Sequence, residues 1–143
     1  MSKVQKLQKN ISLKEDQSDD LSPYLCVDFV LKHGFVFLLI RNLSALAATQ
    51  VQMTFNQHIR ILESSKSLAD LSIFSKLAYL APLKEIEVYL DPAELFLSQF
   101  KDTVVVINIT YTSEREKRFK KTITHDLAIY RDLPILLNPH QNE

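Results

Sequence analysis

Apolar and polar positions alternate with a period of two through most of this chain, and that rhythm predicts strands. Leu25, Val27, Phe29 and Leu31 interleave with Cys26, Asp28, Val30 and Lys32, as in a strand with one buried face. His33-Gly34 breaks the run. Residues 35–40 are apolar at both parities, which suits a central strand covered on both sides, and Arg41-Asn42 ends it. Val51, Met53 and Phe55 alternate with Gln50, Gln52, Thr54 and Asn56 in the clearest half-buried strand. Ile59, Ile61 and Leu62 suggest a short continuation. Ile86, Val88 and Leu90 alternate with Glu85, Glu87 and Tyr89 until Asp91-Pro92 stops them. Val105, Ile107, Ile109 and Tyr111 alternate with Val104, Val106, Asn108 and Thr110. Phe119, Lys121, Ile123, His125, Leu127 and Ile129 do the same with Lys120, Thr122, Thr124, Asp126 and Ala128. Joined by residues 112–118, these last two runs predict an antiparallel hairpin.

Helical periodicity is weak. Leu68, Leu71, Phe74 and Leu77 would share a helix face, but five serines between residues 64 and 75 weaken any helix there. Residues 64–80 therefore read as a long connection with one helical turn, and residues 93–100 as a second short turn. The expected fold is an all-β sandwich of about seven antiparallel strands with short helical turns in the connections. The sandwich spans residues 23–133, between a polar N-terminal tail, 1–22, and a proline-punctuated C-terminal tail, 134–143. Val4, Leu7 and Ile11 give the N-terminal tail one apolar stripe, which buries little area on its own.

Two short stretches sharpen the fold. Asn42-Leu43-Ser44, followed by Ala48 and Val51, comes directly after the apolar strand. Leu80-Ala81-Pro82 precedes the strand that begins at Glu85. Together they resemble bacterial and archaeal immunoglobulin-like sandwich domains of the adhesion-related kind. In those domains a similar strand ends in Asn-x-Gly and a later turn carries Leu-x-Pro-Gly. Here Ser44 and Leu83 stand in the two glycine positions. The resemblance covers residues 23–133, includes the final hairpin as the last two strands, and implies a non-enzymatic adhesion, scaffold or spacer module.

Composition narrows the chemistry. Lysine and arginine number 17 and so do aspartate and glutamate, which excludes a globally basic nucleic-acid binder. The single glycine, Gly34, excludes glycine-rich phosphate loops, and the single cysteine, Cys26, excludes an internal disulfide or a cysteine-rich zinc site. No apolar run approaches the roughly 20 residues of a membrane helix, and no signal segment opens the chain. The expected compartment is the cytoplasm, or the cell envelope if the natural chain is longer.

Candidate catalytic groups are few. His33, His58, His125 and His140 show no metal-ligand spacing, and His125 reads as a hydrogen-bonded structural residue. No glycine-flanked serine elbow exists to make His125-Asp126 part of a triad. Cys26 reads as a packed small side chain, and Glu85 and Glu87 as same-face acids that discourage edge pairing. The matches to the glycosylation motif at Asn10, Asn42 and Asn108 carry no weight without a secretory signal. The sharpest charged feature is Arg115, Lys117, Arg118, Lys120 and Lys121 on the predicted hairpin, diluted by Glu114 and Glu116. These residues are the expected contact for an acidic partner or a polyanion.

The leading expectation is a non-enzymatic interaction or structural module, free of cofactors, with a protein partner or a second copy of itself. A polyanion-contacting accessory domain using residues 115–121 is the alternative. A small-ligand carrier or enzyme with a pocket beside residues 64–80 comes third.

Overall fold

The computed structural model describes residues 22–61 and 66–130. The expectations for both tails fall outside these residues, apart from Ser22. The described residues form seven strands: β1 (Leu25–Lys32), β2 (Phe35–Asn42), β3 (Ala48–Phe55), β4 (Leu77–Leu80), β5 (Glu85–Pro92), β6 (Val104–Ser113) and β7 (Arg118–Asp126). They make two sheets, one ordered β1-β2-β5 and the other β4-β3-β6-β7, with every neighbouring pair antiparallel. The all-β expectation therefore holds. Two helices complete the set, the single turn α1 (Ser72–Ser75) and the longer α2 (Ala93–Phe100), with 3-10 turns at Leu68–Asp70 and Leu127–Tyr130.

One core joins the sheets. Leu25, Val27 and Phe29 of β1 and Val36, Leu38 and Ile40 of β2 pack with Val51 and Met53 of β3 and Val105, Ile107 and Ile109 of β6. These are the alternate residues that the period-two pattern assigns to one face. Each such aliphatic side chain contributes about 1.5–3 kcal/mol by leaving water. α2 closes one end of this core with Ala93, Phe96, Leu97 and Phe100, and the Phe96 ring lies 5.7 Å from Phe29 and 4.9 Å from Phe100. As expected for a central strand, β2 is buried at both parities over Leu38, Leu39 and Ile40.

Three local expectations change. Residues 77–80, read as connection, form β4 on the free side of β3, with Ala48 opposite Leu80 and Val51 opposite Leu77. Four residues are too few for alternation to register, so the pairing alone makes this segment a strand. The continuation at Ile59 is not a further strand. Ile59 is buried, while Arg60 makes one isolated bridge to Ser67. β7 stops at Asp126, because Leu127 turns inward and its N–H donates to Thr103 O at 3.0 Å.

With one glycine available, other residues carry the left-handed turns. His33 (φ 54°) and Gly34 (φ 81°) form the two-residue β1–β2 turn, both positive as the twist of a tight hairpin demands. Leu83 has φ 59° at the position where the resembled domains place glycine. The left-handed region costs a residue with a Cβ about 1–2 kcal/mol. Leu83→Gly is expected to raise the unfolding free energy by about 0.5–1 kcal/mol, because relief of that cost exceeds the extra freedom of an unfolded glycine. A urea titration followed by circular dichroism checks this, and an unchanged or lower midpoint would contradict it.

Candidate functional site

The five basic residues of the hairpin do not gather into one patch. Alternation along β7 sends Arg118 and Lys120 to the exposed outer face of the four-stranded sheet. Arg118 lines a shallow cleft of about 250 Å³ with Gln50, Gln52 and Lys76. Arg115, at the turn, lines a second cleft of about 200 Å³ with Leu46, Ala47, Ser113 and Glu114. Lys117 sits over the Phe119 ring at 5.6 Å. Lys121 points the opposite way. Its Nζ donates to Leu25 O at 2.9 Å and lies 3.6 Å from the centre of the Tyr24 ring.

Lys121 belongs to a seam between the sheets. β1 and β7 are the edge strands on the same side of the sandwich. A strand with one neighbour leaves alternate carbonyls unpaired, and these invite another chain. Here β7 side chains take two of them. Lys121 bonds Leu25 O, and His125 Nε2–H donates to Val27 O at 2.7 Å. The His125 ring stands edge-on to Phe29 at 5.3 Å, and its Nδ1 lies 3.9 Å from the Asp28 carboxylate. His125 is thus a hydrogen-bonded structural histidine, as its parity suggests. It does not meet Asp126, whose carboxylate accepts from Ala128 N–H at 3.0 Å.

Glu87 pairs with Lys32 at 3.1 Å and Glu85 with Arg41 at 3.5 Å, both across strands on exposed surface. Such pairs contribute about 0–1 kcal/mol each. Cys26 is half-buried on the outer side of β1. Burial pushes the Tyr111 phenol above its ordinary range, with Tyr24 adding to the effect, and its hydroxyl donates to Pro23 O at 3.0 Å. Among the described residues no three His, Cys, Asp or Glu side chains group as a metal site.

Two features escape a reading of the sequence alone. Asn42, only 1% exposed, is a polar hub. Its Nδ2 donates to Leu46 O at 2.7 Å and to Leu80 O and Ala81 O at 3.2 Å each. Its Oδ1 accepts from Ser44 N–H at 3.0 Å and Ser44 Oγ at 2.7 Å. The loop from β2 to β3 and the loop from β4 to β5 both cross between the sheets, and this one side chain holds them together. The two stretches singled out in the sequence are halves of a single arrangement.

The second feature is the opposite side of the sandwich. β5 ends the three-stranded sheet over eight residues, with β2 as its only strand neighbour among the described residues. Beside this edge, Phe35, Phe37 and Tyr89 form an aromatic group on the sheet's outer face, with Tyr89 5.7 Å from Phe35 and 5.5 Å from Phe37. Leu39, also directed outward, is 3% exposed, yet it lies outside the main core.

No helix among the described residues is long and apolar enough to cross a membrane. A search of curated proteins found no match to the chain. The model of one family, described as a domain of unknown function (DUF8453), matches residues 3–131, and since this is nearly the whole sequence, the chain belongs to that family.

Proposed function

We propose that this protein is a non-enzymatic interaction or structural module built on an immunoglobulin-like sandwich. Lettered in chain order, its strands would run A-B-E against a sheet of four. This differs from the constant-type arrangement, A-B-E-D against C-F-G, only in the sheet that the fourth strand joins. The observation that carries the reading is the contrast between the two sides of the sandwich. The β1–β7 side is sealed by Lys121 and His125. The β5 edge runs for eight residues beside exposed Phe35 and half-buried Tyr89. An extended segment of a protein partner would add to β5 by backbone hydrogen bonds and set its side chains against the aromatic group.

The test is capture of proteins from the source cells at low salt by the tagged chain, compared with a Phe35→Ser, Tyr89→Ser variant of equal stability. A partner retained by the parent and lost by the variant supports the edge reading. A partner retained equally by both overturns it.

A polyanion-contacting role is the second reading, favoured by Arg118 and Lys120 sharing one exposed face. Arg118→Glu with Lys120→Glu would then elute earlier than the parent from a polyanion matrix at moderate salt, and equal elution removes this reading.

A further inference from the structure

We propose that the end of the sandwich formed by the loops at 43–47 and 81–84 docks on an anionic lipid surface. The sequence of these loops is unusual for exposed connections. Among their nine residues the only charge is Lys84. Leu43 is 51% exposed and Leu83 72%, and Pro82 beside it is exposed too. Loops in contact only with water ordinarily carry polar turn residues. Leucine at a left-handed position is a poorer backbone choice than glycine.

The two leucines are held side by side. Leu83 N–H donates to Ser44 O at 3.2 Å, next to Leu43, and Leu43 N–H donates to Tyr24 O at 2.8 Å. Asn42 fixes both loops from beneath. The result is a preformed apolar tip rather than a groove. Its surroundings are cationic and aromatic: Lys84 follows Leu83, Arg115 lines one cleft with Leu46, and Lys121 sits on the Tyr24 ring, itself 55% exposed. Glu114 and Glu116 on the neighbouring turn reduce this charge without reversing it, and Glu85, next to Lys84, is paired with Arg41 at 3.5 Å.

That combination fits a bilayer face better than other large partners. Projecting leucines enter the acyl boundary, an aromatic ring suits the headgroup level, and lysine and arginine meet anionic headgroups. Nucleic acid would reward the cations and leave the leucines in water. This site is separate from the β5 edge, so its failure leaves the reading above untouched.

The experiment is co-sedimentation of the full chain with vesicles of phosphatidylcholine alone and with about 30% phosphatidylglycerol, at low and moderate salt. Partition into the anionic vesicles only is expected. Leu43→Ser with Leu83→Gly should lose roughly tenfold in partition, and Lys84→Glu with Arg115→Glu a similar amount. Leu83→Gly relieves the backbone, so loss of folding does not explain that result. The chain has no tryptophan, so Leu43→Trp provides a single tryptophan, excited apart from the tyrosines, whose emission shifts to the blue on entering the interface. No partition into anionic vesicles overturns the proposal. Partition that the leucine pair does not alter, with no spectral shift, also overturns it and returns the basic residues to a general polyanion role.

Discussion

Asn42→Ala is expected to lower the unfolding free energy by about 3–4 kcal/mol, a large fraction of the roughly 5–15 kcal/mol that holds a domain of this size together. The reason is the geometry of the hub. Removing the amide takes a donor from the carbonyls of Leu46, Leu80 and Ala81 and the acceptor from the Ser44 N–H at the same point, although Leu46 O keeps the Ser44 hydroxyl and Ala81 O keeps the Lys84 N–H. Each net hydrogen bond is worth about 1 kcal/mol, but a buried group left unsatisfied costs about 1–3 kcal/mol. Asn42→Asp should be worse than alanine, because a carboxylate would face the same three carbonyls with no proton to donate. Ser44→Ala should cost only about 1 kcal/mol, since the Ser44 N–H still reaches Asn42 Oδ1. Urea unfolding followed by circular dichroism provides the check. At a slope of about 1–3 kcal/mol per molar urea, the alanine midpoint falls by at least about 1 M. A much smaller shift would mean that water replaces the amide and that the loops do not depend on it.

Phe74→Ala should be comparably severe, at about 3–5 kcal/mol. Phe74 is fully buried in α1 and meets the Phe55 ring edge-on at 5.4 Å and 82°. It anchors a segment with little regular structure. Around it, Leu68 N–H donates to Ile59 O at 2.8 Å, Leu71 N–H to Leu68 O at 3.1 Å, and Ser67 N–H to the Asp70 carboxylate at 3.1 Å. These bonds keep the segment against β3 only while the ring fills its site. Native-state hydrogen exchange should therefore show an uneven loss, largest at the amides of Leu68, Leu71 and Phe74 and smallest in β6. Phe74→Leu, which retains most of the apolar volume, should recover much of the stability. Uniform loss of protection across both regions would show that the segment opens only with the whole fold.

These two residues also mark the boundary of what can be read along the chain. Five of the seven strands are legible because burial of one face imposes a period of two, and β2 is legible as an apolar run covered on both sides. The hairpin of β6 and β7 is legible for the same reason, with its partners joined by a short turn. β4 leaves no such trace: it has four residues, and what makes it a strand is its bonds to β3, some thirty positions earlier in sequence.

Candidate chemistry follows the same rule. Alternation places His125 inward, and the structure agrees, but nothing local reveals that its ring and Lys121 close the edge of β1, 98 and 96 positions away. The run of basic residues looks continuous in sequence, whereas successive strand residues face opposite ways, so it divides on folding. Asn42 was visible as the end of a strand, while its role depends on Leu80 and Ala81 returning from the other sheet. Periodicity and turn chemistry act between near neighbours, so the chain displays them in one dimension. Hydrogen bonds between distant segments, open edges and exposed loop tips exist only once the sheets have packed, because packing alone determines which groups meet and which remain in water.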